Sequence, residues 1–524
     1  LYFREAVSTE LKDWCRENGY DLYSSGLKIY TTIDSRMQKY AEEAAAKQMK
    51  QIQRNFNNHW GNQEPWQDEN HNVIPNFIEG IAQKQPVYKN LLARFPNNPD
   101  SIEYYLNRPH KVKLFDYEHG TIEKEMSTMD SIRYMVHFMH CAFVAMEPKT
   151  GDVKAWVGDI DFKSWKYDKV TAMRQPGSTF KLFVYTEAMN QGLTPCDKRR
   201  DEYISMQVYD KKAGTEVTWT PTNANGSFSG DSVPLKGAFA RSINSIAVRL
   251  GQEMGVSRIA ETAHKMGIES PLDETPSLTL GSSDVTLLEL ANAYSTVAND
   301  GKYIKRRLVT RILDRNGKEI YGPSVSEEQV IPYRSAYLMQ QLLMSGLREP
   351  GGTSMSLNGY VGQYRDTDWG GKTGTSNNHS DAWFMGVSPN LVVGAWVGGE
   401  YRCIHFRTGA LGQGSRTALP ICGYFLDAVL KDPAFSQYHA KFGKPKDESI
   451  TSSMYNCNSY VPRAKADTSF KDSIRVEEEI VLDEDGNPVE RQLPISSNKE
   501  QQPADQQQKE HKTPKEQPVS LDNL

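Results

Sequence analysis

Apolar positions recur along this chain in two rhythms, one helical and one extended. Leu11, Trp14 and Tyr20 predict a helix and then a loop over residues 1–26. Leu27 to Ile33, with Ile29, Tyr30, Thr31 and Thr32, predicts a β-strand. Asp34 or Ser35 can cap the helix that follows, whose apolar face runs through Met37, Ala41, Ala44 and Ala45 toward Met49. Continuous apolar runs at Cys141–Met146 and Val153–Val157, joined by Pro148-Lys149-Thr150-Gly151-Asp152, predict a hairpin. A second hairpin is predicted with arms at Ala382–Val387 and Leu391–Val397 around Ser388-Pro389-Asn390, and residues 370–376 lead into it. Helical spacing returns at Phe180, Phe183, Val184 and Ala188, then from about Leu235 to Glu253. It appears again at Val285, Leu287, Leu288, Leu290, Ala291, Tyr294 and Val297, with a stop at Asn299-Asp300-Gly301.

Between these elements the pattern changes. Residues 53–110 crowd Asn, Gln, Trp and Pro together, as in His59-Trp60-Gly61, and read as an inserted, mostly helical module. Asp197 to Asp231 is polar. Past about Lys444 the core signal fades, and one hairpin is predicted over Asp485-Gly486-Asn487. From Ser496 the chain is Gln-, Lys- and Pro-rich with almost nothing apolar, so it is expected to be disordered. The expected organisation is a linker segment at 1–52, the inserted module at 53–135, a main domain at 136–435, an extension at 436–495 and the tail at 496–524.

At 524 residues the chain can hold two to four domains, and its net charge of -5 argues against nucleic-acid binding. No apolar run approaches the roughly 20 residues that cross a bilayer. The six cysteines, at 15, 141, 196, 403, 422 and 457, form no C-x-x-C pair, so no metal is expected. Their scatter fits buried thiols at least as well as disulfides. If two are paired, Cys403 with Cys422 is the first candidate.

Three stretches carry candidate chemistry. Arg174-Gln175-Pro176-Gly177-Ser178-Thr179-Phe180-Lys181 places a serine at a helix start with a lysine three residues on, on one face. A serine hydroxyl is a poor nucleophile at neutral pH, and a desolvated amine one turn away can take its proton. The spacing alone is common: Ser25/Lys28 and Ser496/Lys499 repeat it, without a helix behind them. Ser242-Ile243-Asn244 is a polar triplet inside the helical run Ala238–Leu250, so that both ends can reach a cleft. Lys372-Thr373-Gly374-Thr375-Ser376 opens a strand. Its glycine permits close backbone approach, its lysine supplies a cation and its hydroxyls supply donors for a carboxylate. Lys149-Thr150-Gly151 has the same three residues at a tight turn, where a solvated lysine and a turn glycine suffice.

Together these motifs resemble the S-x-x-K, Ser/Asn-triplet and K-T-G set of penicillin-binding proteins and class A β-lactamases. From about Leu27 to Leu430 the chain resembles the transpeptidase half of a bifunctional, class A penicillin-binding protein. The resemblance includes Gly26-Leu27-Lys28-Ile29-Tyr30-Thr31-Thr32-Ile33-Asp34, Leu280-Gly281-Ser282-Ser283-Asp284-Val285-Thr286 and Asp381-Ala382-Trp383-Phe384-Met385-Gly386. The insertion departs from the commonest pattern. The resemblance implies an α/β fold of the penicillin-binding-protein/serine β-lactamase type: an antiparallel sheet flanked by helices, plus a helical subdomain carrying Ser242 and Asn244.

It also implies roles. Ser178 would attack the penultimate D-alanine carbonyl of a peptidoglycan stem peptide, with Lys181 as its base. Ser242 would relay a proton, and Asn244 would hold the substrate amide. The amides of Ser178 and Thr375 would form the oxyanion hole, and Lys372, Thr373, Gly374, Thr375 and Ser376 would line the carboxylate subsite. An acceptor amine would complete the cross-link, β-lactam antibiotics would trap Ser178, and no cofactor is implied. The rival readings are a D,D-carboxypeptidase, a β-lactamase using Glu289 and Asn292, and a non-catalytic β-lactam sensor. The family's glycosyltransferase carries a Glu-Asp pair followed by Phe and His, and no such stretch occurs here. The expectation is a C-terminal part of a longer protein, anchored in the bacterial cytoplasmic membrane through that missing part, with this domain on the wall-facing side.

Overall fold

The computed structural model describes residues 1–462, except 69 and 211–213, together with 481–482 and 488–489. The expected tail lies outside the described residues. Residues 1–462 form one unit.

Helix α1 (Tyr2–Glu17) buries Tyr2, Val7, Leu11 and Cys15 at helical spacing. Strand β1 (Lys28–Thr31) pairs antiparallel with Val309–Leu313, tying the N-terminal segment to the middle of the chain. Helix α2 (Ser35–Trp60) starts where Asp34 accepts hydrogen bonds from the Arg36 and Met37 amides, satisfying two of the donors a helix start leaves free. Its apolar stripe continues through Ile52 and Phe56, so the helix runs well past Met49. The following stretch holds helices at Phe77–Lys84, Pro86–Arg94, Pro99–Asn107 and Thr128–Val136. It also holds a hairpin, His110–Asp116 with Gly120–Met126, which alternation did not reveal because most of its residues are exposed.

The two apolar runs form β2 (Met139–Met146) and β3 (Val153–Val157). Beyond them come α3 (Lys181–Asn190), α4 (Leu235–Ala240), α5 (Asn244–Met254), α6 (Leu287–Ala298) and α7 (Tyr333–Arg348). The chain then adds β4 (Gly370–Thr375), β5 (Asp381–Val387), β6 (Val392–Gly399) and α8 (Ala418–Lys431). The sheet order is β4-β5-β6-β2-β3, antiparallel throughout. Every residue of β2, β5 and β6 is buried, which explains why these strands read as continuous apolar runs rather than alternations. Helices α2 and α8 pack on the sheet and on each other, as do α6 and α7.

Four expectations change. The single helix over Leu235–Glu253 is two helices, α4 and α5, with Ser242-Ile243 at the break. Lys372–Thr375 does not open the strand but ends it, and β4 is the open edge of the sheet. Cys403 and Cys422 are separate buried thiols, and the bridge joins Cys196 to Cys457, 261 residues apart with Cα atoms 5.7 Å from each other. Spacing cannot foresee that pairing, because it depends on a segment folding back across the domain. That segment also corrects the fourth expectation: beyond Lys444, Ile450 and Tyr460 are buried in the main core. In the separate C-terminal unit, Val481–Leu482 pairs antiparallel with Pro488–Val489, on either side of Asp485-Gly486-Asn487.

Candidate active site

Ser178 lies in a 3-10 turn, Gly177–Phe180, directly ahead of α3. The turn lies against the end of β4 too closely for side chains. Gly177 has φ +52°, and a Cβ there would meet the Thr375 carbonyl oxygen at 2.6 Å. A Cβ on Gly374 would lie 2.5 Å from the Pro176 carbonyl oxygen, so both glycines are needed for this approach. Around the turn, the Trp383 indole donates to the Gln175 carbonyl at 2.7 Å, and the Tyr294 hydroxyl donates to the Thr179 carbonyl at 2.8 Å. Arg174 and Val285 exchange backbone bonds at 3.0 Å. Ser178 itself is partly exposed, and its hydroxyl makes no hydrogen bond among the described residues.

Lys181 is fully buried, with its Nζ 2.6 Å from Asn244 Oδ1, 2.8 Å from the Ser242 carbonyl oxygen and 3.2 Å from Ser242 Oγ. Burial, and then the nearby Lys372, push its amine well below the ordinary lysine range. A neutral amine can be held by these contacts. Asn244 Oδ1 and the Ser242 carbonyl can only accept, so they take its two N–H groups. Its lone pair is left for a hydroxyl.

Lys372 donates to Ser242 Oγ at 2.8 Å and to the Thr373 carbonyl at 3.0 Å. Burial pushes its amine down to about 7. Ser242 thus stands between the two lysines. It does so from a left-handed conformation, φ +58°, that costs a non-glycine residue about 1–2 kcal/mol. The cause is local. The Ile243 amide donates to the Ala238 carbonyl at 3.0 Å and the Ser242 amide to the Phe239 carbonyl at 3.1 Å, the paired closure that ends α4 with a left-handed residue. Asn244 then starts α5, its amide donating to Asn223 Oδ1 at 2.9 Å and its Nδ2 to the Thr222 carbonyl at 2.8 Å.

At the strand end, the Ser376 amide donates to the Asp381 carbonyl at 2.9 Å. Antiparallel ladders alternate, so the amide of Thr375 faces the open edge, toward Gly177 and Ser178. Thr373 Oγ1 is 2.7 Å from Thr353 Oγ1, and Thr375 Oγ1 accepts from the Gly414 amide at 3.1 Å. Of the expected residues, Ser376 turns away, and Asn244, expected to hold the substrate amide, accepts from Lys181 and donates to the Thr222 carbonyl instead. The Ser376 hydroxyl bonds Asn378 Oδ1, Ser380 Oγ and the Asp381 amide in the turn after β4. Lys149 is remote from the cluster and bonds Asn390 Oδ1 at 2.9 Å. Glu289 is occupied structurally: it caps α6 through Thr286 and accepts from the Glu269 and Ser270 amides, while Asn292 bonds the backbone of Ile304 and Arg306. Asn223 and Thr353 escaped the sequence reading. Gly351-Gly352 ahead of Thr353 is a turn signal that could have flagged a close approach, while nothing local marks Asn223.

Residues 141–395 match the penicillin binding protein transpeptidase domain, and residues 61–139 match the penicillin-binding protein middle domain. The chain belongs to the penicillin-binding proteins. Within them it corresponds to a region of a class A member that holds the transpeptidase domain. It is 29% identical over 464 residues to penicillin-binding protein 1A of Rickettsia conorii, covering 78% of this chain and 55% of that protein. It is 28% identical over 469 residues to penicillin-binding protein 1A of Neisseria gonorrhoeae, covering 82% of this chain and 56% of that protein. The chain thus spans about half the length of these curated relatives. The fold resembles the crystal structure of penicillin-binding protein 1A from Haemophilus influenzae, with TM-score 0.62 and 22% identity over 85% of this chain and 72% of that one. It also resembles penicillin-binding protein PonA1 from Mycobacterium tuberculosis, with TM-score 0.55 and 20% identity over 84% of this chain and 94% of that one. The stretch read as an insertion, from residue 61 on, is therefore a recurrent domain of the family.

Proposed function

We propose that this chain is a serine D,D-transpeptidase that cross-links peptidoglycan stem peptides through an acyl-enzyme on Ser178. The observation that carries this reading is the buried amine of Lys181, one turn after Ser178, held by Asn244 Oδ1, the Ser242 carbonyl and Ser242 Oγ, with burial and Lys372 lowering its proton affinity. In the acylation step, Ser178 Oγ attacks the carbonyl carbon of the penultimate D-alanine, and its proton passes to Lys181. The oxyanion forms against the amides of Ser178 and Thr375, each donor contributing about 3 kcal/mol in comparable sites. Ser242 accepts from Lys372, so its own hydrogen is free to move to the departing D-alanine nitrogen, and it is replenished from Lys181. Lys372, with the hydroxyls of Thr373 and Thr375, binds the terminal carboxylate and keeps Lys181 neutral. An amine of a neighbouring stem peptide then takes the acyl group by the reverse proton path.

A penicillin presents the same carboxylate and a strained amide, and acylates the same serine. A solved relative is described in complex with penicillin V, which supports β-lactam binding here. The Cys196–Cys457 bridge supports an oxidising, extracytoplasmic setting, as wall synthesis requires. Because Glu289 and Asn292 are committed to structure, the β-lactamase reading has no water-activating glutamate there. The test is labelling with fluorescent penicillin followed by peptide mapping. The label should sit on Ser178 and vanish in Ser178→Ala with the fold intact, whereas full labelling at another serine would overturn the assignment. Synthetic stem peptides with and without an acceptor amine separate transfer from hydrolysis.

A further inference from the structure

The catalytic triplet is supported from behind by a piece of chain that belongs to neither matched domain. Residues 451–460 return across α4, the short helix whose end turn sets Ser242. The bridge pins Cys457 to Cys196, and next to it the Cys196 amide donates to the Met454 carbonyl at 3.1 Å. Lys236 on α4 donates to the Cys457 carbonyl at 2.5 Å and pairs with Glu349 at 2.9 Å, while Ser459 Oγ donates to the same carboxylate at 3.1 Å. Tyr460 fills the space over α4: a Cβ on Gly237 would lie 2.8 Å from Tyr460 Cβ, and the tyrosine hydroxyl donates to Asp231 at 2.9 Å.

Tyr460 also meets the residue next to Ser242. The guanidinium of Arg241 lies over the Tyr460 ring, 5.4 Å from its centroid. Arg241 Nε is buried and has no hydrogen-bond partner among the described residues, and the ring face lies against that group. On another side the guanidinium fills the place of a side chain at Gly351, with Cζ 2.7 Å from where a Cβ would stand. Gly351 belongs to the loop that reaches the site: the Thr353 amide donates to the Ala240 carbonyl at 2.9 Å, and Thr353 Oγ1 meets Thr373 Oγ1 at 2.7 Å. One clamp therefore bears on both the Ser242 turn and the Thr373 hydroxyl. Ser242 is held in a strained left-handed conformation, which persists only where its surroundings enforce it.

We infer that residues 451–460 are a disulfide-latched strap, with Tyr460 as a positioning residue acting through Arg241, and that the strap makes acylation depend on the oxidised Cys196–Cys457 bridge. The inference rests on the functional reading above. Both cysteines are partly exposed, whereas Cys15, Cys141, Cys403 and Cys422 are buried thiols, so a dithiol reductant has one bridge to act on among the described residues. Reduction delivers two electrons and two protons to the S–S bond, giving two thiols, and the dithiol closes to its own cyclic disulfide. A gap opened in the clamp lets the Ser242 turn relax. A misplacement of about 1 Å in a catalytic group costs up to about 100-fold in rate.

The experiment compares second-order acylation constants for fluorescent penicillin on the full chain. The forms are oxidised, dithiol-treated, C196S/C457S, Tyr460→Phe and Tyr460→Ala, all at a temperature where each is folded by circular dichroism. Reduction, the double serine variant and Tyr460→Ala should each slow acylation about tenfold or more. Tyr460→Phe keeps the ring on Arg241 and should stay within about twofold of wild type. Hydrogen exchange of residues 238–245, read in parallel, should quicken in the three slowed forms alone. Unchanged acylation and exchange in the reduced, folded protein would overturn the strap, even if its melting temperature falls. If the oxidised protein takes no label on Ser178, the functional reading fails, and exchange over residues 238–245 still decides whether the strap holds the turn.

Discussion

Replacing Lys372 by Met should make the protein more stable near neutrality and nearly inactive. Lys372 is fully buried, and burial lowers its amine from 10.5 to about 7. In the unfolded chain the group is an ordinary lysine. Between pH 10.5 and 7 the unfolded state therefore binds a proton that the folded state does not. At roughly 1.4 kcal/mol per pH unit, that difference grows to on the order of 5 kcal/mol and stays constant below pH 7. The sign is that of a depressed base: the cost to folding is fully present below the folded value and disappears as pH rises to the unfolded one. Methionine escapes this cost but leaves Ser242 Oγ and the Thr373 carbonyl without the bonds Lys372 gives them, about 1–2 kcal/mol each. The net gain at pH 6 is about 1–3 kcal/mol, a rise in melting temperature of a few degrees. At pH 10 little of the cost remains, so the lost bonds dominate and the variant should melt below wild type. Acylation by fluorescent penicillin should fall about 100-fold or more at pH 7, because both the carboxylate anchor and the cation that keeps Lys181 neutral are gone. What activity remains should have its acid limb at higher pH, since Lys181 loses a cation that lowers its proton affinity. Melting curves from pH 6 to 10 and acylation rates over the same range check each part. A Lys372→Met protein that melts below wild type at pH 6, or whose difference from wild type does not change with pH, would refute the reasoning.

Ser242→Gly should keep stability within about 1 kcal/mol of wild type, because relief of φ +58° offsets loss of the bond from Lys372, yet it should slow acylation about 100-fold for want of the relay hydroxyl. Lys149→Ala should change stability by no more than about 0.5 kcal/mol and leave acylation alone, since its contact is with surface Asn390. Gly374→Ala would put a Cβ 2.5 Å from the Pro176 carbonyl oxygen and should displace the Ser178 turn. Its signature is a fall in acylation rate larger than its loss in melting temperature would explain, checked by stopped-flow labelling beside calorimetry.

Much of this protein is decided by local chemistry and is therefore legible in the residues alone. The buried strands Cys141–Met146, Ala382–Val387 and Leu391–Val397 are uniformly apolar because helices cover the sheet, and such runs cannot satisfy themselves as surface loops. Asp34 marks a helix start through its side-chain carboxylate and Asn299-Asp300-Gly301 a helix end through its left-handed backbone, so those boundaries were readable. Ser178 and Lys181 share a face through helix geometry, which is also local. Three stretches 60 to 130 residues apart were recognisable as a set only by resemblance, because nothing in their spacing says they meet.

Tertiary structure decided the rest. The break between α4 and α5 is set by what surrounds it: Asn223 caps the second helix, Thr353 bonds the end of the first, and helix propensity over Leu235–Glu253 gives no hint of either. Ser376 had the right composition for the site, but its hydroxyl went to the turn that closes β4 onto β5. The two Lys-Thr-Gly copies differ only in where the sheet puts them. One lies at an exposed turn beside Asn390, the other on the open edge against Gly177. Cysteine pairing lay furthest from reach. Cys403 and Cys422 are close in sequence and do not bond, whereas Cys196 and Cys457 are 261 residues apart and do, because a nearly polar segment carries two apolar anchors, Ile450 and Tyr460, that seat it on the core. A few buried side chains are enough to dock such a segment, and they are too few to register as a pattern along the chain.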